Sequence, residues 1–147
     1  MENYTLLKVR LYDDPCLREE AKPVKDVGAS ERLLIQSMIY TMHQMQGIGL
    51  AAPQVGISQR IFVIDLGHGP FVFVNPVILK KEGGLAMDEG CLSMPNINVN
   101  VVRATKILVK YTDESNQKHE RTFENLMARV IQHENDHLNG RLIIDYA

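Results

Sequence analysis

Five consecutive residues near the end of the chain, His133-Glu134-Asn135-Asp136-His137, have the types and spacing that could do chemistry. On a helix, His133 and His137 stand one turn apart on the same face. Both imidazoles can then bind one cation, and Glu134 lies beside any water that cation holds. A bound cation lowers the pKa of such a water towards neutrality. A neighbouring carboxylate can take the proton and later hand it to a departing amine. The chemistry is that of a hydrolase. The plain alternative is two surface histidines and a solvated glutamate, since H-E-x-x-H is short enough to occur by chance.

Two side chains leave such a site incomplete, because a catalytic metal usually keeps three protein ligands and one open position. A thermolysin-like arrangement takes the third ligand from a downstream Glu, but Asp145 is the only acid after the motif. A metzincin-like arrangement finds its glycine at Gly140 but meets Ile143 where its last histidine belongs. The third ligand must come from upstream, and Cys91 is the candidate, in Asp88-Glu89-Gly90-Cys91-Leu92-Ser93-Met94-Pro95. One thiolate with two imidazoles suits iron(II), zinc, cobalt or nickel. Taken alone, Cys91 reads equally as a buried structural thiol.

Periodicity predicts the elements that must hold these residues. Residues 123–132 read as a helix running into the motif, with Leu126, Val130 and Glu134 four apart and Met127, Ile131 and Asn135 likewise. Asn139-Gly140 stops it, because glycine takes the left-handed C′ conformation without a Cβ penalty. Ser30 is the expected N-cap of an earlier helix reaching about Met45. Its stripe of Leu34, Met38, Met42 and Met45, with Ile35 and Ile39 alongside, reads as core rather than pocket lining. Residues 1–27, with Leu7, Val9 and Leu11 alternating before a charged, proline-containing piece, are expected as an extended arm wrapping the domain. Strands are expected at 60–65 and 71–79, the second broken by Pro76 and therefore at an edge or a bulge. Residues 106–111 and 118–123 flank a turn at 113–116 as a hairpin, and His68 and His119 are both expected to be exposed. Gly83-Gly84 marks a further turn before Cys91.

Residues 46–56 break the periodicity with three glycines, one proline and two alanines. The stretch reads as a Gly-rich turn, or as a backbone that small residues allow close to a ligand at Gly47, Ile48 and Gly49. It has neither G-x-G-x-x-G spacing nor a P-loop lysine, which excludes a phosphate cradle. Gln54, near its end, carries an amide that can donate into a site. Mostly strands, with one helix early and one late, predict an α+β fold: a mostly antiparallel sheet around a C-terminal, metal-binding H-E-x-x-H helix, plus one N-terminal helix.

At 147 residues and 45% hydrophobic, the chain is right for a single domain, 1–147, with one substantial core. A net charge of −2 without a Lys/Arg cluster argues against a nucleic-acid partner. Met1-Glu2-Asn3-Tyr4 is no secretory signal, and no apolar run approaches membrane-spanning length. A cytoplasmic location is the expectation, with Cys16 a small filler in a reducing compartment if Cys91 ligates metal.

Three blocks together, Gly47-Ile48-Gly49-Leu50-Ala51-Ala52-Pro53-Gln54, Glu89-Gly90-Cys91-Leu92-Ser93 and Gln132-His133-Glu134-Asn135-Asp136-His137-Leu138-Asn139-Gly140, resemble the signature blocks of the peptide deformylases, in the same order and with similar spacing. The resemblance runs from Asp13-Asp14-Pro15-Cys16-Leu17-Arg18 to Ile143-Ile144-Asp145. It implies a hydrolase that removes the N-formyl group from the formyl-methionine of nascent polypeptides and releases formate. It further implies one divalent metal on Cys91, His133 and His137, iron(II) first, with zinc, nickel or cobalt as alternatives. Glu134 becomes the base, the Gln54 amide and the Leu92 backbone N–H become donors to the oxyanion, and Gly47, Ile48 and Gly49 bind substrate.

Beside the ligands, Asp136 reads either as a solvated helix carboxylate or as a helix anchor partnered by Arg103. Glu89 is expected to fix the turn around Cys91, and Ser93 to be structural, since a ligated histidine cannot serve as its base. Two features depart from the family pattern. Asn96-Ile97-Asn98-Val99-Asn100 replaces the Arg or Tyr often found at the substrate mouth, and no C-terminal docking helix follows, so only transient ribosome proximity is expected. The competing readings are a zinc peptidase of ordinary peptide bonds and a non-catalytic metal- or peptide-binding relative.

Overall fold

Runs of β-branched and aromatic residues with period two build the centre of the molecule, which a computed structural model describes over residues 3–147. In order, the elements are α1 (Ala29–Gln44), β1 (Gly49–Ala51), β2 (Ile61–Ile64), β3 (Phe71–Glu82), β4 (Leu85–Cys91), β5 (Met94–Arg103), β6 (Lys106–Thr112), β7 (Lys118–Glu124) and α2 (Asn125–Leu138). Short 3-10 turns lie at Pro15–Arg18, Ala52–Val55 and Ile143–Tyr146. Five strands pair in the order β1-β2-β3-β6-β7, and β4 and β5 form a separate hairpin. Every strand pairing is antiparallel.

β2 is buried on both faces, and its alternation divides the core. Phe62 and Ile64 face α2, which lays Ala128, Ile131 and Leu138 on them. Ile61 and Val63 face α1, which contributes Ile35, Met38 and Met42. Phe73 anchors the α2 side, 4.9 Å from Phe62 and 4.5 Å from Tyr111 between ring centroids. A third cluster, including Leu17, Met94, Val101 and Ile143, joins the β4–β5 hairpin to the two ends of the chain.

The α+β expectation holds, with one helix early, one late and antiparallel sheets between them. Several local readings are corrected. α1 is capped by Gly28 rather than Ser30: Glu31 accepts the Gly28 N–H at 2.8 Å, and the Ser30 hydroxyl turns sideways to Glu31. Met38 and Met42 are core, but Met45 lies past the helix and is exposed. The arm expected over residues 1–27 begins outside the described residues. From residue 3 to residue 11 it is extended, its N–H groups held by Thr41 Oγ1 and by the carbonyls of Gln54 and Ser93, and it then turns through Pro15–Arg18. Leu7 and Val9 pack inward, but Leu11 stays exposed.

Pro76 sits in a bulge between Val74 and Val77, as expected, yet on a central strand. β2 pairs no further than Val74, so the missing proline N–H costs no ladder bond on that side. Phe123 pairs in β7 opposite Ile107 instead of starting α2, which begins at Asn125. Residues 49–51 are strand rather than turn. β4 escapes sequence reading because it exposes most of its side chains. β5, expected as substrate mouth rather than as strand, carries the alternating run Ile97-Asn98-Val99-Asn100-Val101, buried at Val99 and Val101. His68 is exposed, but His119 is half-buried, stacked 5.1 Å from Tyr111 and bonded to Asp113. Among the described residues no helix is long and apolar enough to cross a membrane.

Candidate metal centre and active site

α2 carries His133, Glu134 and His137 on one helix. Cys91 is the last residue of β4, where a register shift after Glu89 ends regular pairing at the hairpin tip. The hairpin brings its tip to the helix, and ligand atoms of Cys91, His133 and His137 all lie within 4.8 Å of one another. Cys91 Sγ is 3.3 Å from His137 Nε2. Metal–ligand bonds of about 2.0–2.3 Å at tetrahedral angles place donor atoms roughly 3.3–3.6 Å apart, so Cys91 and His137 already stand at that spacing, and the three donors are close enough for one cation to draw together.

The two imidazoles are held differently. His133 Nδ1 lies 2.9 Å from Glu89 Oε1. A carboxylate can only accept, so Nδ1 carries a proton and Nε2 is the nitrogen a cation would take. Burial disfavours the His133 imidazolium, but its bonds with Cys91 and Glu89 outweigh that and raise its pKa to about 10. A cation must therefore displace a proton to bind there. His137 is buried, and its Nδ1 has no partner among the described residues. Burial pushes its pKa well below the ordinary value, which keeps the ring neutral as a ligand must be.

Glu134 is 3% exposed, and its Oε1 has no hydrogen-bond partner among the described residues. Its other oxygen lies 4.0 Å from His133 Nε2. Burial raises the carboxyl to about 7, so it exchanges a proton near neutrality. An unpaired buried carboxylate is costly unless something meets it. A water or substrate proton at the three-donor cluster is the partner this geometry lacks, and the donor set fits a divalent metal.

Gln54 is fixed from both ends. Its Oε1 accepts the Ala51 N–H at 2.9 Å, and its Nε2 donates to Ser93 Oγ at 3.1 Å and reaches Cys91 Sγ at 3.5 Å. Ser93 is fully buried and accepts this bond through its hydroxyl. Leu92 occupies the hairpin turn beside Cys91. A cavity of about 410 Å³ opens over this floor, with Gly47, Ile48 and Gly49 in one wall, Gln54 and Leu92 in another, and Leu126 and Val130 from α2. At Gly47 the chain passes so close to the hairpin that a Cβ would stand 2.8 Å from Leu92 Cδ1. Cys91, His133, Glu134, Gln54, Leu92, Gly47, Ile48 and Gly49, all singled out in the sequence, line this cavity, and His137 joins them through the ligand cluster without lining it.

Behind the ligands lies a charged cluster that the sequence only half suggested. Glu89 accepts Arg103 Nε at 3.0 Å and a second Arg103 nitrogen at 2.9 Å, and accepts Arg129 as well. Burial alone would raise the Glu89 carboxyl, but the bonds from His133 and Arg103 override it and hold the pKa at about 2. Asp136 is an anchor rather than a solvated carboxylate, 2.6 Å from Arg103. Arg129 and Tyr146 were not foreseen. Arg129 stands one turn before His133 on the buried side of α2, and a cation at such a position requires a buried anion. Gln132 ties the same helix to Ala104 through two backbone bonds.

A family model described as polypeptide deformylase matches residues 6–147. The peptide deformylase of Thermotoga maritima is 48% identical over 141 residues, covering 95% of this chain and 86% of that protein. Its crystal structure superposes with a TM-score of 0.95, covering 97% of each chain. A Met-Ala-Ser-bound peptide deformylase of Acinetobacter baumannii matches with a TM-score of 0.92 at 32% identity, covering 99% of this chain and all of that one. Sequence and fold agree that this chain belongs to the polypeptide deformylase family.

Proposed function

We propose that this chain hydrolyses the N-formyl group of peptides beginning with formyl-methionine, with Cys91, His133 and His137 holding one divalent cation and Glu134 acting as base. The enzyme is a deformylase, and its products are formate and a free amino terminus. The observation that carries the assignment of roles is the meeting of three donor atoms beside an unpartnered buried carboxylate at the floor of the cleft. A relative of the same fold binds Met-Ala-Ser. The apolar rim of Ile48, Met87 and Leu126, each about half exposed, suits the unbranched thioether side chain of such a peptide.

When bound, the cation supplies Lewis acidity that polarises a carbonyl and acidifies a water. Glu134 accepts the water's proton as its oxygen adds to the formyl carbon. The carbonyl oxygen gains negative charge, which the Gln54 amide and the Leu92 N–H take up, with Ala51 and Ser93 fixing the Gln54 side chain in advance. Glu134 returns the proton to the amine nitrogen as the C–N bond breaks. The formyl carbon carries only hydrogen, and a tight wall there rejects an acetyl methyl by at most about 1–3 kcal/mol.

The Cys-His-His set suits iron(II), zinc, nickel or cobalt; iron(II) is the cation assigned here, on the family resemblance. Residues 1–147 act as one catalytic domain, since each apolar cluster reaches the cavity wall, through Val130, Leu92 and Cys91 in turn. Both cysteines are free thiols, which fits a reducing cytoplasm where formylated chains leave the ribosome.

The test is formate release from formyl-Met-Ala-Ser by protein purified anaerobically and loaded with iron(II), beside Glu134→Gln. Fast release by the parent, loss of about 10²-fold or more in the variant with metal still bound, and hydrolysis of acetyl-Met-Ala-Ser slower than the parent reaction by about 10–10²-fold support the proposal. No release from a fully metallated parent overturns it.

A further inference from the structure

Tyr146 lies in the Ile143–Tyr146 turn, past the end of α2, and its hydroxyl donates to Asp136 Oδ2 at 2.7 Å. The same oxygen accepts Arg103. The Arg103 guanidinium lies over the Tyr146 ring at 4.9 Å and forks onto both oxygens of Glu89. Glu89 in turn accepts His133 Nδ1. Tyr146, Asp136, Arg103 and Glu89 therefore form one unbroken chain of hydrogen bonds ending on an imidazole at the candidate metal centre. Arg103 and Glu89 are 4% and 6% exposed at their side chains, so water competes little along it.

We infer that Tyr146 is a positioning residue for His133: by holding Asp136 and covering Arg103, it fixes the guanidinium that in turn fixes the carboxylate behind the ring. The inference rests on the metal centre proposed above. Arg103 is gripped by Glu89 at two nitrogens and at the third by Asp136, with the Tyr146 hydroxyl 3.4 Å from that same nitrogen, so its position is set by these pulls together. Without the Tyr146 hydroxyl, Asp136 is held from this side by Arg103 alone and can turn, taking the guanidinium with it. His137 is outside this relay, because its Nδ1 has no partner among the described residues. The effect is therefore confined to one of two histidines. Partners behind metal-bound histidines typically change metal affinity or activity by about 10–100-fold when removed.

The experiment uses cobalt(II) as probe on the full chain, comparing the parent, Tyr146→Phe, Asp136→Asn and Asp145→Asn. Tyr146→Phe keeps the ring under Arg103 and removes only the hydroxyl. Asp145→Asn breaks the Arg18–Asp145 pair in the same turn without touching the relay, and controls for simple loosening of that segment. The readouts are the cobalt dissociation constant by competition with a chelator, the visible ligand-field spectrum, and the shifted ring N–H signals of the two bound histidines. Expected are about tenfold weaker binding, an altered spectrum and movement of one histidine signal in Tyr146→Phe and Asp136→Asn, with Asp145→Asn like the parent. Parent-like affinity and spectra in Tyr146→Phe overturn the inference while leaving the metal centre standing. Equal losses in Asp145→Asn and Tyr146→Phe overturn it in favour of general loosening. A parent that binds no cobalt overturns the metal centre and this inference together.

Discussion

A Cβ placed on Gly49 would stand 2.5 Å from Oε2 of Glu134 and 3.0 Å from its carboxyl carbon. The carboxylate thus occupies the space that the missing side chain leaves, and β1 and α2 pack together only because residue 49 has none. Val130 is also 3.0 Å from that point, so the backbone has little room to retreat. Gly49→Ala should push Glu134 off its position with the three ligands intact. A loss of about 10²-fold in kcat is expected, because a displacement near 1 Å can cost that much, with metal content unchanged. A variant with parental kcat would show that Glu134 is not held by this contact.

Glu89 partners two arginines and a histidine in a nearly dry setting. Glu89→Gln removes the anion that compensates Arg103 and Arg129. Breaking a buried pair from one side costs on the order of 3–5 kcal/mol, so the urea midpoint should fall sharply and metal content with it. Destabilisation below about 1 kcal/mol, the range of exposed pairs, would mean that water already reaches this cluster.

Chelation tests the independence of fold and site. The three apolar clusters and the Glu89–Arg103–Asp136 bonds are all made by the protein itself. The metal-free protein should therefore stay cooperatively folded and lose activity, which reloading restores. Thermal unfolding followed by near-ultraviolet circular dichroism reads this directly. Loss of the cooperative transition on chelation would instead make the metal a structural one.

Asp145 offers a pH test away from the metal. The hydrogen bond from Arg18, at 2.7 Å, holds its carboxyl below the ordinary 3.8. A folded-state pKa below the unfolded one stabilises the protein fully above the unfolded value and loses that stabilisation as pH falls through the folded pKa. Both side chains are substantially exposed, so the contribution is at most about 1 kcal/mol. The stability advantage of the parent over Asp145→Asn should be constant near neutrality and shrink on acidification below the ordinary carboxylate value. An advantage that grows with acid would contradict the ion pair.

The chemistry was legible in the sequence because it rests on spacing within single elements. His133 and His137 must share a face of any helix that contains them, and the apolar positions of α2 and the runs in β2, β3 and β6 announce their own periods. Gly47, Gly49 and Gln54 stood out for the same reason, as a run that suits neither helix nor ordinary strand. Tertiary structure decided what depends on residues far apart. Cys91 joins the histidines only because the β4–β5 hairpin, whose β4 is too exposed to declare itself, delivers its tip to α2. The N-cap passed from Ser30 to Gly28 through the reach of Glu31, and Phe123 went to β7 because Ile107 lies opposite it. The cluster of Glu89, Arg103, Arg129, Asp136 and Tyr146 has no sequence period at all. Its members come from β4, β5, α2 and the final turn, and what unites them is that charges leaving water together must neutralise one another.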